Sequence, residues 1–182
     1  MSFDVAATSY DRFMGRYSRP LAPSLASFAG VSAGQRAIDV GAGTGALTAE
    51  LVARLGTVAV AAVDPSAPFV AALVERFPGV DVRAASAESL PFADRSFDVA
   101  LAQLVVHFMA DPVAGLREMA RVTERGGIVA ACVWDHAGEH GPLGAFWAAA
   151  RELDPTAPDE STLPGVREGH LAELFAAAGL GD

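Results

Sequence analysis

AIDVGAGTGALT, residues 37–48, is the stretch on which the reading of the fold turns. Arg36–Val40 reads as a short apolar strand, Gly41–Gly45 as a glycine-rich turn, and Ala46–Leu55 as a helix that Gly56 ends. Glycines accept positive φ and let backbone approach a ligand closely. The helix behind them offers free amide N–H groups and a partial positive charge. The spacing alone leaves the ligand open, because Gly41-x-Gly43-x-x-Ala46 also satisfies the dinucleotide fingerprint. A Walker phosphate loop is excluded, since no Gly-Lys-Ser/Thr follows.

Outward from this turn the chain alternates. Thr57–Val63 reads as a second strand, with Asp64 at its end, and Ser66 as the cap of a helix running through Phe77 to Pro78-Gly79. Val80–Ala85 and Ser96–Leu104 read as a third and a fourth strand. Asp111-Pro112 combines an N-cap acceptor with proline at the first helical position and starts a helix to about Glu124. Gly126-Gly127 then turns the chain into a fifth strand, Ile128–Trp134. Strands alternating with helices predict an α/β fold with right-handed crossovers and a mainly parallel sheet. The apolar strands agree, because such strands are covered on both faces. Before the alternation, Phe3–Tyr17 and Pro20–Phe28 read as helices. After it come a polar loop over Asp135–Gly141, a helix over Leu143–Leu153, a proline-bearing loop over Asp154–Gly165, and a helix over Arg167–Ala178 closed by Gly179.

Composition narrows the partners. In 182 residues, 52% are hydrophobic and 19% charged, and mean hydropathy is +0.32, which excludes a disordered acidic tail. The net charge is −9, and all 13 basic residues are arginine. That sign repels phosphate backbones and anionic lipid, so neither nucleic acid nor a membrane is an expected partner. No apolar run approaches the roughly 18 residues of a membrane span. Met1-Ser-Phe-Asp has neither the basic nor the apolar region of a secretory signal. The single cysteine, Cys132, fits a reducing compartment and a place in the core, so a cytoplasmic protein is expected.

Three further segments follow the glycine turn in order: VDPSAPFV, then ASAESLPFADRSFDVALAQLVVHF, then DPVAGLREMARVTERGGIVAACVWD. With AIDVGAGTGALT they resemble the class I S-adenosylmethionine (SAM)-dependent methyltransferases, in the small-molecule group related to ubiquinone/menaquinone-biosynthesis methyltransferases. The resemblance covers about residues 10–135. It implies a Rossmann-like parallel sheet of order 3-2-1-4-5 with helices on both faces. It also implies SAM as cofactor, S-adenosylhomocysteine as product and a small-molecule acceptor. On this resemblance Gly41, Ala42, Gly43 and Gly45 face the methionine carboxylate and ribose, and Asp39 suits the α-amino end, directly or through water. Asp64, followed by Pro65 and Ser66, takes the ribose hydroxyls, and Phe69 packs on the adenine. Ser86 and Ala87, followed by Glu88, meet the adenine edge; many relatives carry Asp where Ser86 stands, so weaker binding is expected. Gln103 and Leu104 border the methionine and the reactive methyl. Tyr10 or Arg16, in an N-terminal cap, closes over the carboxylate.

Methyl transfer from a sulfonium needs positioning and a dry site rather than a protein nucleophile. A general base helps only a protonated acceptor, and His107, with an ordinary pKa near 6.5, is the candidate. Its alternative is a pocket-shaping side chain. Glu88 reads as solvated and Asp98 as a strand-start carboxylate, while Asp94 and Arg95 read as turn residues. Asp135-His136-x-x-Glu139-His140 offers metal-type ligands, but Gly138 and Gly141 disfavour the helix that would aim both imidazoles together, so no metal is expected.

Two other readings are weighed. An NAD(P)-dependent oxidoreductase is disfavoured by the lack of Tyr-x-x-x-Lys and of any lysine. A SAM-binding chain without full catalytic competence is motivated by length. Residues 1–182 are expected to form one domain, with a cap at 1–30, a cofactor-binding core at 36–134 and an acceptor-side stretch at 135–182. The resemblance implies a closing antiparallel hairpin, strands six and seven, which this sequence lacks. Truncation and homodimerisation through the exposed edge of strand five are therefore expected.

Overall fold

The computed structural model describes residues 11–138, 140–154 and 160–181. Its centre is β1 (Ala37–Val40), all four residues of which are buried. β1 pairs in parallel with β2 (Val60–Asp64) on one side and β4 (Phe97–Gln103) on the other. β3 (Asp81–Ala84) extends the sheet beyond β2, and β5 (Thr123–Cys132) extends it beyond β4, giving the order β3-β2-β1-β4-β5.

Successive strand residues point to opposite faces, and helices bury both. Ala37, Val60, Val99 and Leu101 pack with Ala22, Leu25 and Ala26 of α1 (Gly15–Phe28) and Leu47 and Leu51 of α2 (Ala46–Leu55). Ala62 of the same face meets Leu73 of α3 (Ala67–Arg76). Ile38, Val40, Val63, Ala100 and Ala102 face the other way, onto Leu116, Met119 and Val122 of α4 (Pro112–Val122). Two more helices follow, α5 (Gly144–Leu153) and α6 (His170–Ala177); Leu171, Leu174 and Phe175 of α6 pack on the α4 side.

Several boundaries move from the sequence reading. Thr57–Ala59 is a 3-10 turn, so β2 starts at Val60. α1 begins at Gly15 and runs through both Pro20 and Pro23 rather than starting at Pro20. α6 starts at His170, after Gly169. The turn expected at Gly126-Gly127 is instead a bulge inside β5: Phe97 pairs with Thr123, but Val99 pairs with Ile128. Glycine is needed there, since a Cβ on Gly127 would lie 2.5 Å from the Asp98 carbonyl oxygen.

The expected start of α4 is present, with the Asp111 carboxylate accepting from the Ala114 N–H at 3.0 Å. Asp111→Ala is expected to cost about 1 kcal/mol, read as a lower urea midpoint with unchanged slope. Among the described residues no helix is long and apolar enough to cross a membrane.

Candidate functional site

The chain leaves β1 into a turn that folds back over β2. Gly41 and Ala42 both donate to the Val63 carbonyl at 2.9 Å. Gly41 has φ +70°, and a Cβ there would lie 2.4 Å from Val105 Cγ2, so only glycine lets the turn pass under the segment after β4. The Gly43 N–H donates to Asp64 Oδ2 at 2.8 Å, and the Ser66 N–H donates to Asp64 Oδ1 at 2.8 Å. Asp64 therefore stands where β2 predicts, but it holds the turn and the start of α3 together. Ser66 stands at the N-cap of α3 as expected, but its side chain makes no cap bond. Burial pushes the Asp64 pKa up, against these two N–H donors.

A cleft of about 560 Å³ opens beyond the carboxyl ends of β1, β2 and β4. Gly41, Gly43, Asp64, Pro65, Ser66 and Phe69, from β1 to α3, line it together with Ser86, Ala87, Glu88, Gln103 and Leu104. The sequence reading missed Ala67, Pro68, Val105, Phe108, Met109 and Ala110, which complete the wall. The last four lie on and around a 3-10 turn at Val106–Phe108 that local sequence does not announce. Leu104 opens that excursion with φ +59°, rare outside glycine. Glu88 is not simply solvated: its Oε1 accepts from the Ala110 and Asp111 N–H groups at 2.8 and 3.2 Å and fixes this wall. Asp98 is at a strand start as read, accepting from the Arg36 N–H at 2.7 Å.

A narrow extension of the cleft, about 30 Å³, reaches Ser18, Asp39, Ala42, Gln103 and Leu104. Asp39 is buried and accepts from the Thr48 hydroxyl at 2.6 Å. Burial pushes its pKa up to about 7; Thr48 opposes this and the nearby Asp64 adds to it. The Gln103 amide donates to the Ser18 carbonyl at 3.0 Å, leaving Oε1 buried with no partner.

Other expected residues lie elsewhere. Gly45 lines an outer hollow of about 620 Å³ with Asp11, Arg19, Thr44 and Arg76, on the far side of the turn. Arg16 is exposed and donates to the Arg12 carbonyl at 3.1 Å. Tyr10 lies outside the described residues. His107 is 3% exposed and is not among the residues lining the cleft. Its ring lies 4.0 Å from that of Phe108 and 5.6 Å from that of His136, and its Nδ1 has no partner. Burial, with His136 acting in the same direction, pushes its pKa down to about 4. His136 Nε2 lies 3.7 Å from Glu160, whereas the exposed His140 pairs with Asp135 at 2.9 Å, so the two imidazoles answer to different carboxylates. Glu139 lies outside the described residues.

Residues 38–131 match the family model described as "Methyltransferase domain". The demethylmenaquinone methyltransferase of a Mycobacterium species (strain KMS) is 43% identical over 103 residues, 57% of this chain and 43% of that protein. A SAM-dependent methyltransferase structure from Aquifex aeolicus superposes with TM-score 0.72, covering 97% of this chain and 89% of that one at 18% identity, a likeness of fold. The crystal structure of the (4+2)-cyclase SpnF is 29% identical with TM-score 0.56, covering 62% of this chain and 44% of that one. The chain spans a little under half the length of the curated relatives it matches.

Proposed function

As the chain belongs to the class I methyltransferase-domain family, we propose that its cleft binds SAM and that the protein transfers the methyl group to a small-molecule acceptor. One observation carries the reading. The cleft and its extension are lined by two side chains that carry hydrogen-bond acceptors, the Asp64 carboxylate and Gln103, whose buried Oε1 has no partner. Those acceptors suit a nucleoside joined to an amino acid. Asp64 would accept from ribose hydroxyls and Gln103 Oε1 from an α-ammonium group, with the buried Asp39 adding negative charge on that side. Phe69 would pack on the adenine, with Ser86 and Ala87 at its edge.

When bound, SAM supplies an electrophilic methyl on a sulfonium, so no nucleophile is required of the chain. The residues of the cleft orient the cofactor and exclude water. His107, buried and not among the residues lining the cleft, suits the pocket-shaping alternative better than the role of base. Its depressed pKa keeps it neutral at pH 7 and makes it a weak base. The parts before residue 31 and after residue 134 are assigned to the acceptor side. A quinone-like acceptor, named for the mycobacterial relative, is the first to assay. The outer edge of β5 has no neighbouring strand among the described residues, and we assign homodimer pairing to it.

Thermal shift tests the cofactor. At about 100 times its Kd, S-adenosylhomocysteine should add about 2.7 kcal/mol, several degrees in Tm for a chain of this size. NAD should add nothing. Stabilisation by NAD alone overturns the reading. The cyclase likeness favours a second reading, SAM binding without methyl transfer. Stabilisation by S-adenosylhomocysteine, with no label passing from methyl-labelled SAM to any acceptor tested, supports it.

A further inference from the structure

The segment before α1 crosses the outside of the glycine turn and is tied there by one carboxylate. Asp11, whose side chain is 13% exposed, accepts from the Thr44 hydroxyl and from Arg76 Nη2 at 2.6 Å. Arg76 also donates Nη1 to the Thr44 carbonyl at 2.7 Å. Thr44 lies between Gly43, which bonds Asp64, and Gly45, so both of its polar side-chain and carbonyl atoms are fixed from outside the turn. Arg19 reaches Asp11 only at 3.4 Å and is 66% exposed. Burial alone would push the Asp11 pKa up; the Thr44 hydroxyl and Arg76 outweigh it, so the carboxyl titrates low and is charged at neutral pH.

The other end of α1 is anchored differently. Ala22, Leu25 and Ala26 are buried against α2, and Arg54 donates to the Pro23 carbonyl at 3.1 Å and the Ser27 hydroxyl at 3.0 Å. Between latch and anchor stands Pro20, and Pro23 lies within the anchor, both inside the helix. Each lacks an N–H and so removes one i→i−4 bond, loosening the first turns of α1 from the rest. Against the loose part lie Gln103, which donates to Ser18, and Trp134, whose ring meets Tyr17 edge to face at 5.6 Å.

We propose that residues 11–19 form a strap hinged at Pro20, and that Asp11 latches it through Thr44 and Arg76, so that release of the latch sets the rate at which the cofactor leaves. Asp11 is then a positioning residue for the glycine turn. The kinetic part of the inference rests on the cofactor reading above; the strap itself does not.

Two measurements test it. Limited trypsinolysis of the ligand-free protein reads strap opening through cleavage after Arg12 and Arg16. Asp11→Asn and Arg76→Gln should each speed that cleavage about fivefold while Tm holds, and Arg19→Gln should not. In the wild type, about 1 M sodium chloride should speed it and in Asp11→Asn it should not. Unchanged cleavage in both latch variants overturns the latch. Stopped-flow dissociation of S-adenosylhomocysteine reads the consequence. Asp11→Asn should release it about fivefold faster, and the double variant with Arg76→Gln should be no faster than Asp11→Asn alone. Additive effects, or a strap that opens while the ligand leaves at the wild-type rate, overturn the gating role. A wild type that does not bind S-adenosylhomocysteine overturns the cofactor reading and with it the gating role, while trypsinolysis still decides the latch.

Discussion

Asp64→Ala is expected to weaken S-adenosylhomocysteine binding about 100-fold, read by titration calorimetry. The two carboxylate oxygens each accept one backbone N–H, from Gly43 and Ser66. An ionised carboxylate has about four lone-pair sites, so each oxygen keeps capacity for a ligand hydroxyl. Hydrogen bonds to a charged group contribute roughly 1.5–3 kcal/mol each, and losing a vicinal pair amounts to about 3 kcal/mol, or about 100-fold. The alanine variant also leaves the two N–H groups without their partner, so its Tm should fall as well. Asp64→Asn separates the effects. Its amide retains one acceptor oxygen but turns an NH2 toward either Gly43 or Ser66, both donors, and it loses the charge. It should bind nearly as weakly as the alanine variant. Wild-type affinity in either variant would remove Asp64 from the ribose site.

What could be read from sequence was local, and what could not was set by contacts across the chain. AIDV was legible as β1 because three of its four residues are apolar, as a central strand buried on both faces favours, and the glycines after it because a tight turn needs them, Gly41 passing under Val105 and Gly45 against Phe77 and Leu73. Of the cleft residues on strand ends, Asp64 was legible from its place after an apolar strand and Gln103 only through the family resemblance. Gly126-Gly127 misled because glycine pairs mark turns in general. The bulge that uses them is imposed by the Asp98 carbonyl, nearly 30 residues away. Ser66 stands at the N-cap of α3 as read, but its side chain makes no cap bond, and its N–H donates to the Asp64 carboxylate. His107 follows β4 as read, yet the 3-10 turn carries its ring inward against Phe108 and His136. Nothing in its neighbours specifies that rotation. The bond from Gln103 to Ser18 spans 85 residues and shows only in three dimensions, and it leaves Oε1 buried without a partner.

Asp39 carries the largest pH effect. Its pKa in the folded chain is about 7, against an ordinary value of 3.8, because burial disfavours the charged form. A raised pKa means that the folded state binds the proton more tightly than the unfolded chain. The contribution is therefore fully present below about pH 4 and is lost as pH rises through about 7. At 1.36 kcal/mol per pKa unit the loss is on the order of 4 kcal/mol. His107 works in the opposite sense. Its depressed pKa of about 4 costs stability as pH falls below about 6.5. The two slopes oppose each other between about pH 4 and 6.5, so the wild-type profile alone hides both. The difference between Asp39→Asn and wild type isolates the carboxyl. Asparagine fills the same space, can still accept from Thr48 and has no charge to bury. The variant should gain stability relative to wild type steadily from pH 4 to pH 7, by about 4 kcal/mol in urea unfolding, and the difference should then level off. The same side chain should weaken when it is asked to bind. An α-ammonium group beside Gln103 favours ionised Asp39, so at pH 6 binding of S-adenosylhomocysteine should release close to one proton. Calorimetry in buffers of different ionisation enthalpy counts that proton, and Asp39→Asn should abolish it while binding more weakly. A variant that is stabilised yet binds as tightly as wild type would leave Asp39 as a burden on the fold with no part in the site.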